Sequence, residues 1–225
     1  MEELGEILKG YKDLGELTVK LLAYKYRIFY ASLILVLNII FTILMILFWL
    51  IMSVLPKITA ISLNYEFLGI GIWGIAFSFA MIVVWILHRV FSRTVKSIQQ
   101  YMSYKETIVD KLIFPLAFSV PFLLVYMIPS PRPYWETYCW FYAITSSFVI
   151  VAVFHERKMN KLYPRFSTNV YTTISIMQVA FSVILTLIVL HISHPTMLSM
   201  VSYLFVLISA LTAAIRQIYS AEKLS

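Results

Sequence analysis

A chain of 225 residues that is 61% hydrophobic and only 13% charged, with a mean hydropathy of +0.85, excludes an ordinary soluble domain, where about a quarter of residues are charged. The apolar residues come in runs of about 20, enough for a helix to cross roughly 30 Å of hydrocarbon, and only helices satisfy the backbone within one such run. The net charge of +7 needs no dedicated nucleic-acid site, because topology and contact with anionic lipid headgroups account for it.

Residues 1–27 come first and read as a cytoplasmic amphipathic arm. Leu4, Ile7, Tyr11, Leu14 and Leu21 recur at spacings of three and four, with Thr18 in register, while Glu3, Glu6, Lys9, Asp13, Glu16 and Lys20 fall mostly elsewhere around the axis. Such a stripe lies in the membrane interface, packs on the protein's own loops or docks a partner helix. Its mixed charges argue against a purely lipid-binding helix. Gly5, Gly10 and Gly15 each weaken it by roughly 1 kcal/mol relative to alanine, so the arm needs something to pack on.

Six membrane spans follow, at about 28–55, 67–90, 112–128, 137–154, 170–192 and 196–215, and then a cytoplasmic tail, 216–225. The first begins after a charged segment and has no small-residue cleavage site, so it reads as a permanent span rather than a signal peptide. The third is interrupted by Pro115 and Pro121, and Pro121 predicts a kink, since it removes a backbone donor and clashes one turn back. Pro129, Pro131 and Pro133 read as a stiff outer turn. No repeat relates the three hairpins.

The loops set the orientation. Sixteen of the eighteen Lys and Arg residues fall in the arm, the second and fourth loops and the tail; only Lys57 and Arg132 fall in the others. Basic residues are retained on the cytoplasmic side, which predicts an all-α, multi-pass protein of the cell membrane with both termini cytoplasmic. Tyr24, Tyr26 and Tyr30 at one interface, and Tyr134, Trp135, Tyr138 and Trp140 at the other, fit aromatic belts.

No Asp, Glu, Lys or Arg lies centrally in any span, which weighs against proton pumps and cation-coupled carriers. Asn38 and Gln178 are the costliest polar residues to bury and are expected to bond across helices. Small residues spaced four apart, such as Ser209 with Ala213 and Ala210 with Ala214, permit close helix contact. His191, His194, Met197 and Met200, with Cys139 and Met127 at similar depth, form a weak copper-like donor set, though Pro195 breaks its local geometry. The lone Cys139 excludes an intrachain disulfide framework.

GxSxG, HExxH, a Walker lysine loop and paired intramembrane aspartates are all missing. The cluster His155-Glu156-Arg157-Lys158 reads as a solvated, membrane-flanking group. The expectation is a non-catalytic membrane subunit without a cofactor, a scaffold or channel-forming component of an envelope assembly such as a secretion, macromolecule-transfer or respiratory complex. It would meet membrane lipids, and a protein partner or a second copy, through the arm and basic loops. The alternatives are a small-solute transporter using Pro121, Asn38 and Gln178, and a redox or lipid-modifying membrane enzyme.

Overall fold

The computed structural model describes residues 2–58, 108–127, 135–192 and 194–224, with scattered helical positions between 82 and 100. All of the described regular structure is helical. Helix α1 runs Glu2–Ile58, α2 Ile108–Met127, α4 Val170–His191 and α5 Pro195–Glu222. Helix α3 begins as Cys139–Val151, passes through a π turn at Ala152–Glu156 and continues as Arg157–Leu162. Within that turn the Arg157 amide donates to the Ala152 carbonyl, five residues back.

Two prolines sit where their missing amide costs least. Pro195 opens α5, where the amide would lack an intrahelical partner anyway. Tyr163 leaves helical geometry, with φ −133° and ψ 71°, before Pro164, because the proline ring disfavours a helical residue ahead of it, and this stops α3. Helix α2 runs continuously through Pro115 and Pro121, and Pro121 is buried.

Among the described residues, four helical stretches are long and apolar enough to cross a membrane: Tyr11–Ile43, Cys139–Leu162, Val170–His191 and Met197–Glu222. The apolar part of α2, Leu112–Val125, is shorter. The span expected at 67–90 lies outside the described residues except for a few helical positions near its end. The arm and the first span are one uninterrupted helix of 57 residues, about 85 Å long at 1.5 Å per residue. The expected tail is mostly the last turns of α5.

Each helix packs chiefly on a neighbour, in the order α1, α5, α4, α3, α2. At one end, Val19 and Ala23 of α1 pack on Phe166 in the turn between α3 and α4, with Leu224 beside them. Arg27 Nη1 donates to the Ser220 carbonyl of α5. The start of α1, the α3–α4 turn and the end of α5 therefore share one end of the bundle, here termed the basic end. The other end is held by Tyr138, Phe141, Leu185 and Leu198, above a stacked pair, Phe181 and Phe205, with ring centroids 4.4 Å apart.

Much of the described surface outside this core is apolar. Ile39, Ile43, Leu123, Leu124, Ile176, Val183, Leu187 and Leu204 are all exposed. Exposed apolar surface on this scale is unusual for a protein in water and suits hydrocarbon.

Candidate functional site

The densest polar assembly among the described residues lies at the basic end and centres on Glu156, the last residue of the π turn, which is only 2% exposed. Asn169 precedes α4 without making a side-chain cap. Glu156 supplies that cap from the neighbouring helix. Its Oε1 accepts from the Tyr171 amide at 3.2 Å and the Thr168 hydroxyl at 3.1 Å. Its Oε2 accepts from the Thr172 amide at 2.7 Å and the Thr172 hydroxyl at 2.6 Å. Tyr171 and Thr172 carry the second and third amides of α4, the pair that an N-cap side chain normally satisfies.

A helix N-terminus carries roughly half a positive charge, and bonds from amides to a carboxylate are charge-assisted. The helix end therefore compensates the buried carboxylate, and no cation contacts it among the described residues. Four donors also fill the roughly four lone-pair positions of a carboxylate. The group is arranged to hold α4, with no acceptor position left for an outside ligand.

Asn160, one turn beyond Glu156 on α3, fixes the approach to α4. Its Nδ2 donates to the Thr168 carbonyl at 2.6 Å, and its Oδ1 accepts from the Thr168 amide at 2.9 Å. Tyr26 and Tyr30 of α1 close the other side, with ring centroids 4.8 Å apart. A cavity of about 10 Å³ remains beside Glu156, lined in part by Tyr26, Tyr30, Tyr163 and Tyr171. It has room for about one water and none for a substrate.

Sequence reasoning missed this site, treating Glu156 as solvated when it is buried. A signal was present: Ser167, Thr168, Asn169, Thr172 and Thr173 crowd the start of α4, a composition typical of helix starts.

The polar residues expected to join helices do so. Asn38 Nδ2 of α1 donates to the Leu207 carbonyl of α5 at 3.3 Å. Gln178 of α4, fully buried, donates through Nε2 to Ser209 Oγ of α5 at 3.2 Å, while its Oε1 has no partner among the described residues. Tyr142 and Thr186 share a 2.9 Å hydrogen bond between α3 and α4, and Arg216 Nη1 donates to Thr173 Oγ1 at 2.9 Å. Because Gln178 leaves one polar atom unpaired, Gln178→Leu is expected to lie within about 1 kcal/mol of wild type, its gain offsetting the lost bond. Gln178→Ala, which adds a cavity, is expected to cost about 2 kcal/mol; unfolding in a fixed detergent measures both.

The arm residues singled out for docking divide clearly. Tyr11, Leu14 and Leu21 are 72%, 63% and 52% exposed, and Leu17 joins them at 66%. Leu4 and Ile7 lie in α1 with side chains outside the described residues. The face that packs on the protein itself is a different one, Val19, Ala23 and Tyr26 with Leu22. His191, His194, Met197 and Met200 are all exposed near the turn from α4 to α5. His191 Nδ1 lies 3.0 Å from the Leu187 carbonyl, and Cys139 is buried. Among the described residues no three His, Cys, Asp or Glu side chains gather at metal-binding distance.

No protein-family model, curated protein or solved structure matches this chain.

Proposed function

We propose that the chain is a six-span integral membrane protein with both ends cytoplasmic, serving as a non-catalytic scaffold subunit of a larger envelope assembly. The observation that carries this reading is the exposed stripe Tyr11, Leu14, Leu17 and Leu21 on an arm continuous with the first span. An arm that extends a spanning helix without interruption is carried away from the bilayer and cannot lie flat in its interface. Its opposite face is already used, against Phe166. Lys12, Asp13, Glu16 and Lys20 are exposed around it, a mixed set that lacks the basic bias of lipid-binding helices. Its fitting occupant is an amphipathic helix of a separate subunit, seated on anchors spaced as a groove-binding helix requires.

The interior supports scaffolding over transport. Asn38 and Gln178, the side chains most suited to a solute path, bond to neighbouring helices instead.

The test is mild-detergent affinity purification of the tagged protein from its own membranes. A stoichiometric subunit should co-purify with wild type and be lost on deleting residues 1–22. It should also be lost in Leu14→Asp with Leu21→Asp, which leaves the Val19 face intact and so separates docking from folding. Co-purification unchanged in both variants overturns the docking claim. A lone homo-oligomer conducting a solute in liposomes overturns the scaffold reading.

A further inference from the structure

On the outer surface between α3 and α4 lies a groove of about 730 Å³, within the range of roughly 300–1,000 Å³ typical of ligand sites. Its lining changes character along its length. Arg157, Lys161 and Asn169 stand at the basic end; Val149, Val153, Ile176 and Val179 line the rest, with Ala152 and Ser175 buried between them. Helix α3 runs toward the basic end and α4 away from it. At 1.5 Å per residue, Val149 and Val179 therefore lie roughly 15 Å deeper than the basic pair.

Charge and depth together select the ligand. Arg157 and Lys161 are four residues apart, hence on one face of α3, and both are exposed. Neither makes an ion pair among the described residues, and the nearest carboxylate in sequence, Glu156, is buried and bonded to α4. Two cations with flexible stems at headgroup depth, above an apolar trough, match a phosphate above an acyl chain. Basic recesses between spanning helices hold anionic headgroups by this chemistry. The trough is a fold product: side chains of Ala152 and Ser175 are too small to fill the space between the helices.

We propose that this groove is a binding site for one anionic phospholipid, its phosphate held by Arg157 and Lys161 and an acyl chain lying on Val149, Val153, Ile176 and Val179. The site requires neither the arm nor a partner subunit, so it stands apart from the scaffold reading.

Native mass spectrometry tests it, on full-length protein carrying phosphatidylglycerol or phosphatidylcholine of identical chains. Wild type should retain one phosphatidylglycerol in preference to phosphatidylcholine. Arg157→Gln with Lys161→Gln should reduce that preference about thirtyfold, several-fold for each cation, and Arg157→Lys with Lys161→Arg should restore it. Val153→Trp, which fills the trough, should abolish retention of both lipids, while Lys20→Gln with Lys25→Gln on the arm should change nothing. Equal retention of the two lipids by wild type overturns the proposal. So does a preference that survives the Gln pair or the Trp, since general attraction to a basic surface would then explain it. Should the Trp variant fail to fold, the Gln and charge-restoring pairs, which change only exposed side chains, decide the matter.

Discussion

Glu156→Ala is expected to lower stability by about 3 kcal/mol, more than any other single polar substitution in the described bundle. The change strands the Tyr171 and Thr172 amides and two threonine hydroxyls. Charge-assisted bonds of this kind contribute roughly 1.5–3 kcal/mol each, and orphaned buried donors cost about 1–3 kcal/mol. Water entering from the adjacent one-water cavity recovers part of the loss, which holds the net below the simple sum. Glu156→Asp, one methylene shorter, should lose nearly as much. Glu156→Gln should fall between, because its amide nitrogen faces a donor it cannot accept from. Chemical unfolding in a fixed detergent gives the energies. Hydrogen exchange gives the mechanism: protection of the Tyr171 and Thr172 amides should fall first and furthest in Glu156→Ala. Unchanged protection there would mean that α4 is held by packing alone.

That site explains what was legible in the sequence and what was not. Apolar runs are one-dimensional, so both ends of α4 and the start of α5 are readable to within a residue. Tyr11, Leu14 and Leu21 of the arm's exposed stripe are readable too, because spacing of three and four fixes a face whether or not anything covers it; Leu17 joins them in the structure. The arm's packed face is not: Val19, Ala23 and Tyr26 are interleaved with charges, and only the position of Phe166 makes them core. The apolar run of α5 ends at Ile215, where polar residues begin. The helix continues to Glu222 because Arg216 bonds Thr173 and Ser220 receives Arg27, partners supplied by other helices. Glu156 is the extreme case. The turn Ala-Val-Phe-His-Glu looks ordinary, yet its π geometry shifts the register of every residue after it. The carboxylate then meets amides 15 and 16 residues further on, a relation no local pattern contains.

Ala213→Leu is expected to be the most damaging apolar substitution at the helix crossings, at about 3 kcal/mol, the upper part of the usual overpacking range. Ala213 is 1% exposed and packs with Val170 and Ile174 of α4, with Tyr30 and Ile34 of α1 and Phe148 of α3 alongside. Four helices meet there, so the added atoms have no free direction. Association of apolar helices in lipid rests on close packing rather than on removing surface from water, so lost contact is not repaid by burying a larger side chain. Ile215→Leu, on the exposed face of the same turn, should change stability by less than about 0.5 kcal/mol and controls for helix propensity. Val170 opens the helix that Glu156 caps, so a wedge at Ala213 presses on the same turn from the other side. The two effects should not add. Combining Ala213→Leu with Glu156→Ala should cost less than the separate losses together, by about 1 kcal/mol, because a turn already released from its cap can yield to the wedge. Strict additivity would show instead that the cap and the crossing hold α4 independently.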